Sequence, residues 1–443
     1  MTFSQDDFVK SIGKIFLLHP LWWILGIDQF IFAVSGPIFF FAGFYFGIIK
    51  LKENAHTILL LLLFSFQLLS LTNLIFEPNP AFYAQLFFFK TGLSLSAFFN
   101  FLIIVSCVNS ANAIRYLLKC FVFQHLSSML ATIAGYLLFK NGLSQFPTLS
   151  YFIAPNSIKN LNLFYPFFVK GIIMPTELLN YTAFRTKGLF LYSNLFSIAM
   201  ENMVFISLIL AIIEKEKRYY LFSGLCLLFV ILSTSRAGII SLFAGLSLIL
   251  PFYLLIKRSF HFLLPSIFIV LIISLLAYIN VSDSLSENVY TISHSRGYSF
   301  ETRNYIYQKS IELIQEHPFL GWGTNRKIHS DLAYAGSHST YLSVAFKNGI
   351  IGLFLFLTFL GVILKNLFSI KPHASNNSLF SPLVIAMFVS AVIQQMAHMI
   401  VLDINDDIFV LNQILVFWGI CMVLSDLQKN NRCEDNINEH ASN

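Results

Sequence analysis

Residues 408–425, IFVLNQILVFWGICMVLS, run without one charged side chain. Wound as an α-helix, such a segment matches the roughly 30 Å hydrocarbon thickness of a bilayer. No water reaches the backbone there, so every N–H and C=O must be satisfied inside the protein, and a helix does this within one segment. Ten more runs of the same kind lie near 30–49, 57–76, 84–106, 116–139, 189–213, 219–234, 237–256, 262–280, 341–364 and 381–401. A shorter stretch, 12–27, is interrupted by His19 and Pro20 and followed by Asp28; it would make a twelfth. With 56% hydrophobic and 11% charged residues, the chain lies far from the soluble globular range. The expected fold is an all-α integral membrane protein of about 11–12 transmembrane helices. No cleavable signal peptide is expected, because the first apolar segment lacks a small-residue cleavage site and runs on into more hydrophobic chain.

Basic residues set the expected orientation. Lys50 and Lys52; Arg115 and Lys119; Lys215, Lys217 and Arg218; Lys257 and Arg258; Lys365 and Lys371; and Lys429 and Arg432 occupy every second connection, which places these in the cytoplasm. The intervening short loops EPNPAFYAQ and LDINDD carry acids. Lys10 and Lys14 favour a cytoplasmic N-terminus, which requires the twelfth helix. The chain then divides into helices and an outward loop (140–188) over 1–280, a large outward loop with amphipathic helices over 281–340, the last three membrane helices over 341–428, and a polar, disordered cytoplasmic tail over 429–443. The net charge of +6 is accounted for by topology, with no basic run dense enough to follow a nucleic-acid backbone. The five cysteines have no CxxC spacing, and neither long loop holds one, so neither a disulfide nor a zinc framework is expected.

Three polar groups beside apolar segments invite explanation, since a charge at mid-helix costs roughly 2.5–3.5 kcal/mol on insertion scales. Arg236 lies in ILSTSRAGIISL, Arg303 in SFETRNYIYQKSIELIQEHPFLGWGTN, and His338 in AGSHSTYLSVAF. Each has an ordinary structural reading. Arg236 would cap a helix end and snorkel to headgroups. Arg303 would be the solvated face of an amphipathic loop helix paired with Glu301 or a neighbour. His338, with Ser337, Ser339 and Thr340, would be a helix-capping cluster. Together on one membrane face they suit a single task. Two guanidiniums pair bidentately with phosphate oxygens and neutralise a diphosphate leaving group, while an imidazole takes a proton from an attacking sugar hydroxyl. A lipid-linked sugar diphosphate fits this arrangement, which needs neither nucleotide nor metal.

The segment ETRNYIYQKSIELIQEHPFLGWGTNRK followed by SHSTYLSVAFKNGIIGLFLFL resembles the signature region of the O-antigen ligase and polymerase superfamily. Upstream, LLFVILSTSRAGIISLFAGL and FRTKGLFLYSNLFSIAM are similar to two further family segments, so recognisable motifs cover about residues 180–365. The resemblance implies a GT-C-like bundle in the bacterial inner membrane, working at the periplasmic face on an undecaprenyl-diphosphate-linked glycan without cofactor. Arg236 and Arg303 would bind the donor diphosphate, His338 would activate the acceptor hydroxyl, and Arg185 would add a phosphate or glycan contact. Ser339 stands where the family usually has asparagine, and Lys347 where it often has an acid. A ligase would transfer the glycan to lipid A core, a polymerase to another lipid-linked repeat unit; the expectation leans to the ligase. A transporter or flippase of lipid-linked sugars is the rival outside the enzyme class. Against it stands an apparent clustering of polar groups in one loop, with few ionisable residues inside the helices.

Overall fold

A computed structural model describes residues 4–51, 55–70, 72–73, 93–139, 145–155, 169–178, 181–259, 297–326, 328, 334–371, 378–404 and 407–442. The expected helix at 262–280 and the whole EPNPAFYAQ loop lie outside the described residues. The remaining apolar runs are helical: α1 (Gln5–Leu17), α2 (His19–Leu25), α3 (Asp28–Tyr45), α4 (Ala55–Leu69), α5 (Leu93–Cys107), α6 (Ala111–Phe139), α8 (Ser193–Glu214), α9 (Lys217–Leu232), α10 (Arg236–Ile256), α12 (Thr340–Ser369), α13 (Pro382–His398) and α14 (Ile408–Ser442). Between them lie a short α7 (Leu149–Ile153) and a polar α11 (Gly297–Glu316). Six of the helices are long and apolar enough to cross a membrane, and α1 with α2 forms a broken seventh span bent by 50°. The protein is an all-α integral membrane protein.

The bend has a local cause. Pro20 sits in the first turn of α2, where a missing N–H is tolerated but continuation of α1 is not. At the other end of α1, Ser4 accepts the Asp7 N–H at 3.2 Å and its own N–H donates to the Asp7 carboxylate at 3.0 Å, a capping box that starts the span cleanly. The stretch 12–27 is therefore helical, as two pieces.

Hydrogen bonds sort the helix ends into two groups. One group joins Gln5 to Ile48 and Asn109, Lys119 to Glu214, Ser378 to Ile213, and Lys371 to Gln428. The other joins Lys170 to Asp28, Gln29 to Asp407, Arg185 to Ser233, Asn73 to Gly321, and Thr340 to Leu402. From α1 with α2 through α10 the membrane helices run between these groups in alternation, whereas α10 and α12 both run from the second group to the first; the basic connections at 50, 115–119, 215–218 and 371 all fall at the first end.

The stretch 140–188 holds two small antiparallel ribbons, which the helical reading did not foresee. Here β1 (Gln145–Pro147) pairs with β2 (Val169–Gly171), and β3 (Ile173–Leu178) pairs with β4 (Tyr181–Thr186), placing Met174 opposite Arg185. α8 and α14 form the centre of the bundle; their apolar residues are buried all round, the pattern of a helix enclosed by other helices. Asn100 binds Asn412, Gln395 binds Asn202 at 2.9 Å, and the Trp418 indole donates to Gln395 at 2.6 Å, interhelical polar ties of the kind used where no hydrophobic force separates protein from lipid. α14 continues to Ser442, through the polar residues expected to form a disordered tail. Extending an established helix carries no nucleation cost, which local polarity does not reveal.

Candidate active site

Arg236 occupies the first position of α10 and is exposed. The turn before it is strained. Thr234 has φ 50°, a left-handed conformation that a β-branched residue seldom takes. Ser233 steadies it by accepting the Ser235 N–H at 3.3 Å, and Ser235 caps α10 by accepting the Gly238 N–H at 3.2 Å. A cation at a helix N-terminus opposes the helix dipole, so guanidinium and free N–H groups both favour an anion there.

Arg185 reaches the same turn. On β4, its Nε–H donates to the Ser233 carbonyl at 3.3 Å and its Nη2 to Asn194 at 3.0 Å. The expected phosphate or glycan contact is thus also a brace for the Arg236 turn, a role that no motif announces. Beside it, burial and the neighbouring Lys170 pull the Lys187 ammonium down to about 8.

The second half of the site is built on α11 and α12. The sequence HPFLGWG leaves α11 and docks on a break in α12 at Gly349, where φ is 68° and ψ is −175°. The Trp322 and Gly323 N–H groups donate to the carbonyls of Phe346 and Lys347 at 2.8 and 2.9 Å, and the Ile350 N–H donates to Pro318 at 2.7 Å. The broken helical bonds are replaced across the loop, so the backbone remains satisfied inside the protein. A Cβ at Gly349 would lie 2.0 Å from the Phe319 carbonyl oxygen, and one at Gly321 would lie 2.5 Å from the Gly349 nitrogen. Gly321 of the turn therefore meets Gly349 at the break. Trp322 anchors the turn through its indole N–H to Leu313 at 2.8 Å, with the Arg326 guanidinium 3.4 Å over its ring.

His338 sits at the end of this loop with φ 66°. The Tyr307 hydroxyl donates to its carbonyl at 2.9 Å, and Arg303 lies one turn before Tyr307 on the same helix face. Burial holds the His338 imidazole below its ordinary value, the Arg303 charge lowers it further, and Asp403 pulls it the other way. A neutral imidazole beside a cation is a competent proton acceptor. Arg303 is half-buried and makes no ion pair among the described residues, whereas the side chain of its anticipated partner Glu301 lies outside them. Of the expected capping cluster, Ser339 is the cap, accepting the Leu342 N–H at 3.5 Å. Lys347 is buried and lies 3.9 Å from the buried carboxylate of Asp403.

Arg185 and Arg236 thus form one cluster, and Arg303, Tyr307, His338 and Asp403 a second, at the same end of the bundle. Residues 221–357 match the O-antigen ligase family. This stretch is similar to an O-antigen ligase domain. The match supports the resemblance that the motifs carried, and the matched stretch spans Arg236, Arg303 and His338 while leaving Arg185 outside. No curated protein matches the chain.

The sparse ionisable interior expected of the helices needs correction. Glu201 and His398 pair inside the bundle, both fully buried, and Asp28 pairs with Lys170 near its outer end. His19 and His125 are buried as well. Glu201 was visible as the one charge in the run 189–213; its partners on α10 and α13 were not.

Proposed function

We propose that the protein is a membrane glycosyltransferase of the ligase type, moving a glycan from undecaprenyl diphosphate to a sugar hydroxyl of lipid A core at the periplasmic face of the inner membrane. The observation that carries this reading is the Tyr307 clamp, which holds His338 against α11 within electrostatic reach of Arg303. Arg236, at the α10 N-terminus, and Arg303 would bind the two phosphates and take up charge as the glycosidic C–O bond breaks. His338 would accept the proton of the acceptor hydroxyl as its oxygen attacks the anomeric carbon. The products are the glycosylated acceptor and undecaprenyl diphosphate. Arg185 would steady Arg236 and contribute a contact to the donor.

The gathering of basic connections at one end supports a cytoplasmic assignment for that end and a periplasmic one for the site. The loop 281–340 would then be a periplasmic unit. A cavity of about 50 Å³ beside α12 is lined by Thr340, Lys347, Asn348, Gln67, Phe98 and Trp418.

The test is the lipopolysaccharide banding pattern of a strain lacking this gene, complemented by wild type or His338→Ala. Long ladders that stay on the lipid carrier and vanish from lipid A core indicate the ligase. Core capped with one repeat unit indicates a polymerase, and an unchanged pattern removes lipopolysaccharide as the product.

A further inference from the structure

Glu201 is fully buried in the third turn of α8. Its carboxylate accepts hydrogen bonds from four side chains on three helices. These are Ser197 of α8 at 2.9 Å, Ser241 of α10 at 2.6 Å, the Gln394 amide of α13, and Nδ1–H of His398, the last residue of α13, at 3.0 Å. His398 Nε2, on the other side of the ring, is buried with no hydrogen-bond partner among the described residues. A buried carboxylate with four donors is costly to assemble and, once one donor is lost, costly to keep.

Each half of the site connects to this carboxylate. Through α10, Ser241 lies just below Arg236, and Gly238 between them packs so closely on α8 that a Cβ would fall 1.9 Å from Ser197 Oγ and 2.6 Å from Glu201 Oε1. Through α13, the chain leaves His398 into a turn whose Met399 and Leu402 carbonyls accept the Thr340 N–H at 2.9 and 3.0 Å. The Tyr341 hydroxyl donates to the Met396 carbonyl at 2.9 Å. Thr340 and Tyr341 begin the helix that follows His338.

We propose that Glu201 and His398 are positioning residues for glycan transfer, tying the helix start that carries Arg236 and the helix start that follows His338 to one buried carboxylate and so setting the separation of anion clamp and base. This rests on the reading that Arg236 and His338 serve one reaction.

The experiment is steady-state transfer by the full-length protein in liposomes, scored on whichever glycan acceptor the wild type uses. Glu201→Gln keeps the shape and removes the charge. Misplacement of a catalytic group by about 1 Å costs on the order of 10²-fold, so kcat should fall by about that factor while KM for the donor changes by less than about twofold. Added to Arg236→Lys, which keeps the charge, Glu201→Gln should cost less than about threefold more, because both act on one geometry. Independent, multiplying losses would overturn the proposal, as would wild-type kcat in Glu201→Gln. If that variant does not accumulate, His398→Gln and Ser241→Ala carry the same expectation with a smaller loss, and wild-type kcat in both overturns it. Full transfer by Arg236→Ala would sink the functional reading instead; loss there with full transfer in Glu201→Gln sinks only the positioning role.

Discussion

The Tyr307 hydroxyl is hydrogen-bonded to the His338 carbonyl at 2.9 Å, joining a polar loop helix to the start of a membrane helix. The bond holds a histidine in a left-handed conformation that it would otherwise leave. Tyr307→Phe removes one hydrogen bond, about 1 kcal/mol of local stability, and should leave insertion intact. Transfer should fall about tenfold or more as His338 shifts. Wild-type turnover in Tyr307→Phe would show that the clamp does not position the base.

The charges around His338 predict the acid limb of the pH profile. A base must be unprotonated to work, and burial with Arg303 holds this imidazole below its usual 6.5, so log(kcat/KM) should decline only at a pH below that value. Arg303→Gln removes a cation and should move the midpoint up. Asp403→Asn removes an anion that raises the imidazole and should move it down. Shifts of the same sign in both variants would contradict this arrangement.

Gly349 and Gly361 lie on the same helix with opposite requirements. At Gly349 the left-handed φ and a 2.0 Å approach to Phe319 oxygen leave no room for a methyl group, whereas nothing lies within 4 Å of a Cβ at Gly361. Gly349→Ala should cost about 1–3 kcal/mol from strain alone and release the HPFLGWG turn to protease. Gly361→Ala should be neutral or stabilise by about 0.5–1 kcal/mol. Thermal unfolding in detergent and limited proteolysis of the loop distinguish them.

Lys347 and Asp403 are buried together, so the loss of one partner is worse than the loss of both. Lys347→Met strands a carboxylate and should destabilise by about 3–5 kcal/mol, while the double variant with Asp403→Leu should recover most of that. The recovered protein should still show the lowered acid limb of Asp403→Asn. Equal melting temperatures for single and double variants would mean that the pair does not share its burial cost.

The two-ended arrangement is checked by labelling. In a cysteine-free background, Tyr192→Cys at the outer end should react with a membrane-impermeant maleimide in intact spheroplasts, and Lys217→Cys at the basic end should react only after lysis. The reverse pattern would place the site in the cytoplasm.

The membrane character, the order of the helices and the three signature residues were legible in the sequence, because each rests on a local property. A run of apolar side chains must be helical in lipid whatever it packs against. Arg236 and His338 sit at run boundaries, where polarity changes within a few residues, and Arg303 lies in an amphipathic stretch of the loop. The ribbons of 145–186, the bracing of Ser233 by Arg185 and the docking of HPFLGWG on the break at Gly349 were not legible. Each depends on partners far apart in the chain, and side-chain type carries no record of which distant carbonyl a donor will find. The same holds for Glu201. Its charge inside an apolar run marks a cost, but only the packing of α8 against α10 and α13 brings Ser241, Gln394 and His398 to its oxygens and makes that charge tolerable. Local chemistry determined what this protein is made of and where it changes character; the tertiary structure decided which of its polar groups act together.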